Sequence, residues 1–141
     1  MKQAVMLSLI GQQDYLEQEP EVIRLITEGT LEKTGDGWSI SYQESGLTGL
    51  EGVTTTFLLQ ENCVTLTRTG KLNSQMVFRL NAPHESLYQM EFGALMITVC
   101  ATSVVWDVSE LGGVVDLKYN IEIEQTQMGV VTYHLDIAPK E

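Results

Sequence analysis

Basic residues are scarce in this chain: 8 lysines and arginines stand against 19 aspartates and glutamates, a formal net charge of -11. Affinity for a nucleic-acid backbone comes from lysine and arginine displacing counterions from phosphates, so such a chain repels a polyanion and no nucleic-acid partner is expected. An anionic membrane surface is disfavoured for the same reason. Cysteine is nearly absent. Cys63 and Cys100 lie far apart, with no CxxC spacing and no Cys/His cluster, so no metal site is expected. One disulfide could be drawn between them, but both sit in apolar or Thr-rich runs, where buried thiols are common. No apolar run approaches the ~20 residues of a membrane-spanning helix. The opening Met1-Lys2-Gln3-Ala4 lacks the long apolar region of a secretory signal, and together these absences lead to a cytoplasmic location.

Histidine is the next scarcity. His84 and His134 are the only two, and neither belongs to a nucleophile or metal motif. No catalytic residue and no cofactor is therefore expected, and the chain is read as a non-enzyme. Gly46, Gly49 and Gly52 superficially resemble a phosphate-cradling loop. Such loops run from a strand into a helix and use a lysine, whereas here strands flank the glycines and Glu51 would oppose an anion; the glycines read as turn residues.

Helical spacing is missing as well. Glu17 to Ile26 mimics it briefly, but Pro20 interrupts and Val22-Ile23 begins a β-branched stretch. What the chain does have is alternation of apolar and polar residues. Gln3 to Gly11 reads as a strand and Gln12 to Pro20 as a polar connection. Glu21 to Lys33 follows, with Ile23, Leu25, Gly29 and Leu31 on one face. Gly35-Asp36-Gly37 is a hairpin signal, because Asp-Gly supplies the positive φ of a tight primed turn. Trp38 to Glu44 puts Trp38, Ile40 and Tyr42 on one face, and Val53 to Gln60 resumes after the glycines.

Beyond a turn at Glu61-Asn62, Val64, Leu66 and Arg68 share a face. Gly70 to Ser74 reads as a loop, Gln75 to Leu80 as a short strand, and Asn81-Ala82-Pro83 as a turn or edge. His84 to Phe92 has Tyr88, Met90 and Phe92 in phase. Leu95 to Trp106 is one long bent strand or two short ones, and Gly112-Gly113 marks a reversal. Val114 to Glu124 and Val130 to Ile137 form the last pair, joined around Gln127-Met128-Gly129. The 141 residues thus read as one all-β domain. Successive hairpins, and the need to protect sheet edges, favour an antiparallel, mostly up-and-down β-barrel of about eight to ten strands over a sandwich.

Several short segments carry a family resemblance. Ile40-Ser41-Tyr42-Gln43-Glu44, Gly46-Leu47-Thr48-Gly49, Thr54-Thr55-Thr56, Arg68-Thr69-Gly70, Met76-Val77-Phe78, Tyr88 with Phe92-Gly93, and Val115-Asp116-Leu117-Lys118-Tyr119 resemble the YwiB-like family of small bacterial proteins. The resemblance spans most of the chain. It implies a calycin-like or lipocalin-like barrel of unassigned function and transfers no catalytic residue.

The candidate site follows from phase. If Val64 and Leu66 point inward, so does Arg68, and a guanidinium inside a barrel needs a carboxylate, carbonyls, water or a ligand. Glu44 and Tyr42 share the face of Trp38 and Ile40; Tyr88 accompanies Met90; Tyr119 and Tyr133 lie within the two final apolar faces. Two arrangements stay open. Arg68 seals the barrel mouth and pairs with Glu44, or Arg68, Glu44, Tyr42, Tyr88, Tyr119 and Tyr133 grip the polar or anionic end of a small, mostly apolar or amphipathic ligand. The expected function is a non-catalytic binding module. The alternative is a protein–protein interaction module using a strand edge or an outer face such as Met6, Met96 and Met128, and an enzyme with a dispersed site at His84, Arg68 or Glu44 ranks last. Assembly is left open between monomer and homodimer.

Overall fold

Ten antiparallel strands follow one another, each turning back on the last: β1 (Lys2–Tyr15), β2 (Glu21–Thr34), β3 (Gly37–Gln43), β4 (Val53–Gln60), β5 (Cys63–Gly70), β6 (Ser74–Phe78), β7 (Pro83–Met90), β8 (Gly93–Ser109), β9 (Gly112–Ile123) and β10 (Thr126–Pro139). The structure, a computed structural model, describes residues 2–15, 18–44, 50–90 and 92–140, and the side chain of Met90 is not among them. Gly46 and Gly49, read above as turn residues, lie outside the described residues. Among those described, no helix is long and apolar enough to cross a membrane.

The strand order is β6-β5-β4-β3-β2-β1-β10-β9-β8-β7. Every strand except β6 and β7 pairs with both of its neighbours in sequence, β6 and β7 do not ladder with each other, and the first strand pairs with the last from Val5↔Pro139 to Tyr15↔Gly129. This is an up-and-down meander curled into a nearly closed barrel. Its seam lies between β6 and β7. There Asn73 and Gln89 exchange two backbone hydrogen bonds of 2.8 Å, and the Asn81 N–H donates to the Ala101 carbonyl at 2.8 Å. Between these ties, His84 Nδ1 accepts the Val77 N–H at 3.4 Å.

The period-two pattern sets the interior. Val5, Leu7, Leu31, Ile40, Phe57, Leu59, Leu66, Phe78, Leu117 and Leu135 are all buried in one cluster, which the hydrophobic effect holds together. At the end of the barrel far from Arg68, the Trp106 indole N–H donates to the Gln60 carbonyl at 2.9 Å, tying β8 to β4.

Several boundaries differ from the sequence reading, each for a local reason. β1 runs on to Tyr15, since Gln12 and Asp14 face outward while Gln13 pairs with Val131 and Tyr15 with Gly129. The first turn carries its positive φ at Gly35 rather than Gly37. Gly37 instead lies in β3, where a Cβ would stand 1.8 Å from the Leu59 carbonyl oxygen. The β9–β10 turn sits at Glu124-Gln125, not at Gln127-Met128-Gly129; both residues adopt positive φ (50° and 68°). The Glu124 carboxylate accepts the Met96 N–H at 3.0 Å, which anchors that turn. Gly129 marks a bulge, where β10 approaches β1 too closely for a side chain. β8 is a single strand whose bend is a bulge between Ala101 and Ser103. Phe92, placed in phase with Tyr88, lies beyond the end of β7 and is 97% exposed. Met128 packs against the core rather than forming an outer apolar face with Met6 and Met96.

Candidate functional site

Register brings polar inward-facing residues into one row. Tyr42 on β3 pairs with Thr55 on β4, Thr55 with Arg68 on β5, and Arg68 with Ser74 on β6. All four fall in the inward phase of their strands, one step beyond the apolar row of Ile40, Phe57, Leu66 and Met76. Glu44 follows Tyr42 in the same phase and is buried, and the Thr55 hydroxyl donates to its Oε2 at 2.5 Å. The carboxylate is thus built into the wall by Thr55 and by a hydrogen bond with Tyr42. Among the described residues the ion pairs include His134 with Asp116 and Asp136, and Lys140 with Glu28.

The opposite wall comes from β1, β2 and β10. Gly11 pairs with Tyr133 and with Ile23, and a stack of rings leads up to the cavity from the core. Phe78 and Tyr119 have centroids 4.6 Å apart, and Tyr119 and Tyr133 6.3 Å apart. Between the walls lies a cavity of about 210 Å³, lined by Arg68, Glu44, Tyr42, Tyr88 and Tyr133 with Leu9, Gly11, Gln13, Ile23 and Leu50. At about 30 Å³ per water, that is room for about seven waters, less than a drug-sized cleft.

All five tyrosines of the chain interact electrostatically with Arg68 or with one another. Burial pushes the Tyr42 hydroxyl well up, with the Glu44 charge adding to it and Arg68 opposing. Burial likewise raises Tyr88, Tyr15 and Tyr119. These groups are therefore neutral at physiological pH, each an O–H donor and an acceptor. For Arg68, burial works to lower the pKa, but Tyr133, Tyr88 and Tyr119 outweigh it and the net direction is upward. The guanidinium stays charged. Arg68 as a whole is half-buried, yet its Nε is fully shielded and has no hydrogen-bond partner among the described residues. An unpaired buried donor costs about 1–3 kcal/mol.

Of the residues expected at the site, Arg68, Glu44, Tyr42, Tyr88 and Tyr133 line the cavity, and Tyr119 stands behind Tyr133 as a fully packed support. The sequence reading missed Gln13 and Tyr15, because it ended β1 at Gly11, and Ser74, because it placed that residue in a loop. Continuing the Leu7-Leu9-Gly11 alternation for two more steps finds both β1 residues. Among the described residues no group of three His, Cys, Asp or Glu is placed to hold a metal ion. His84 is engaged with the Val77 N–H, and His134 lies on the outer face.

The family model described as "Domain of unknown function (DUF1934)" matches residues 7–137. The chain belongs to that family. The crystal structure of the ywiB protein from Bacillus subtilis superposes with a TM-score of 0.88, covering 99% of this chain and 94% of that one at 20% identity. At that identity the likeness carries the fold alone. It agrees with the YwiB-like resemblance read from the short segments of β3, β5 and β9. No curated protein matches the chain in sequence. In this member of the family, then, function has to be argued from the cavity itself.

Proposed function

We propose that this protein is a non-catalytic binding module, holding a small, mostly apolar or amphipathic molecule by its polar or anionic end within the barrel. The observation that carries the reading is Arg68, a charged guanidinium on the cavity wall with its Nε shielded from solvent and unpartnered among the described residues. A buried charge is retained where a partner of opposite charge or good hydrogen-bonding power completes it. Leu9, Ile23 and Leu50 supply apolar wall, and the neutral tyrosine hydroxyls supply adjustable hydrogen bonds. The acidic surface keeps polyanions away while leaving one positive charge inside. Native mass spectrometry of the protein purified from its own cells tests this. The expected result is a co-purifying small molecule that is lost in Arg68→Gln; a clean apo mass under gentle conditions, with no small molecule retained, counts against it.

A second reading has one observation in its favour. Among the described residues the one backbone pairing across the β6–β7 seam is between Asn73, just ahead of β6, and Gln89 on β7, so stretches of both strands lack ladder partners, and Leu87 beside them is 47% exposed. Such an edge suits strand addition by a protein partner. A stoichiometric partner whose binding is abolished by a proline at Gln75 supports this reading, and monomeric behaviour with no retained partner removes it.

A further inference from the structure

Two side-chain polar atoms among the described residues are fully shielded from solvent yet lack a hydrogen-bond partner: Arg68 Nε and Ser74 Oγ. They are not scattered. Arg68 and Ser74 face each other directly across β5 and β6, and both side chains take the inward phase. Directly opposed residues of an antiparallel pair carry their Cβ atoms about 4.5–5.5 Å apart, so one small group can reach both. Nε–H is a donor only, and a serine hydroxyl donates or accepts. One acceptor placed between them satisfies both atoms at once.

The geometry points to an oxyanion subsite in which Arg68 Nε–H and the Ser74 hydroxyl bind the carboxylate of a small monocarboxylic acid, whose apolar remainder lies along Leu9, Ile23 and Leu50. This deepens the binding reading and rests on it. The edge of a guanidinium that carries Nε–H presents a planar fork, which matches a carboxylate bidentately. Charge limits the ligand to a monoanion. Arg68 is the sole cationic side chain lining the cavity among the described residues, and Glu44 lines the same space, so one carboxylate is matched directly by the guanidinium while a second negative charge would face Glu44 with no cation to offset it. Arg68 and Ser74 also line an outer cleft over the β6–β7 seam, together with Gln75, Ser86 and Leu87, where the two strands are not laddered along their length.

Isothermal titration of the full chain with benzoate, benzyl alcohol and inorganic phosphate tests the assignment. Benzoate is expected to bind about tenfold or more tightly than benzyl alcohol, which has the same ring and no charge, and phosphate is expected not to compete. Ser74→Ala should weaken benzoate roughly tenfold and leave benzyl alcohol within about twofold, which a loss of folding would not do. Arg68→Lys keeps the charge, loses the fork and should weaken benzoate at least as much. If benzoate and benzyl alcohol bind alike, or if Ser74→Ala affects neither, a bridging water accounts for the two atoms and the subsite is overturned while the cavity reading stands. Phosphate competing as well as benzoate overturns the carboxylate assignment. If no probe binds, a neutral co-purified molecule overturns the subsite alone, a co-purified carboxylic acid supports it, and the absence of any retained molecule overturns both.

Discussion

The ring of Tyr133 occupies the space that a side chain at Gly11 would need. The two residues are direct partners across β10 and β1, and a Cβ on Gly11 would stand 2.9 Å from Tyr133 Cε1. Gly11 is not among the residues with positive φ, so room for the ring, and not backbone freedom, is what glycine provides here. Gly11→Ala is expected to displace Tyr133 from its place beside Arg68 and to destabilise the fold by about 1–3 kcal/mol through overpacking. Urea unfolding measures the loss. A variant as stable as the parent would mean that Tyr133 is not fixed against β1.

Thr55 gives a second prediction. It is fully buried, and its hydroxyl donates to Glu44 Oε2 at 2.5 Å. Thr55→Val keeps the shape and removes the donor, leaving a buried carboxylate with one hydrogen bond fewer, at a cost of about 1–3 kcal/mol. Thr67→Val, on the outward phase of β5 and with no side-chain hydrogen bond among the described residues, serves as the control, and its change should be much smaller. Chemical denaturation of the two variants side by side checks the difference. Equal losses would show that the Glu44 contact contributes nothing beyond ordinary threonine replacement.

The outer wall predicts a pH dependence. His134 Nδ1 lies 2.6 Å from Asp116 and Nε2 lies 3.0 Å from Asp136. Its pKa is raised, chiefly by the hydrogen bond with Asp116, with burial opposing and the charges of Asp116 and Asp136 adding to the rise. A histidine whose folded pKa exceeds its unfolded value, ordinarily near 6.5, adds stability that is complete below that pH. The addition is lost as pH rises through the folded pKa. The side chain is 38% exposed, so solvent screening holds the effect to under about 1 kcal/mol. Thermal unfolding at pH 6 and pH 8 should show a larger drop for the parent than for His134→Gln. A drop of the same size in both would place the pH sensitivity elsewhere.

How far the sequence disclosed this arrangement depended on which physical signal each residue carried. Alternation carried the barrel and the inward phase of Arg68, because Val64 and Leu66 on the same strand leave no other place for it. The same alternation placed Tyr42 and Glu44 together. Convergence was harder to see. That Tyr88 on β7 and Tyr133 on β10 meet the β3–β5 wall depends on barrel closure, and no local pattern encodes closure. Ser74 was hidden by its neighbours, since Gly70, Asn73 and Ser74 together look like turn chemistry, yet β6 begins at Ser74. The β9–β10 turn was misplaced because Glu124 and Gln125 adopt positive φ without glycine, held by the Met96 contact from another strand. Composition favours Gly129 for a turn, but its bareness serves the close approach of β1 instead.

The measurement that bears most directly on the cavity is a high-resolution crystal structure of the protein isolated from its own cells, refined for density between Arg68 and Ser74. The account predicts a planar, carboxylate-shaped feature within hydrogen-bond distance of Arg68 Nε and Ser74 Oγ, continuing toward Ile23 and Leu50. A cavity filled by Tyr88 or Tyr133 swung inward, with Arg68 turned out to solvent, would contradict it.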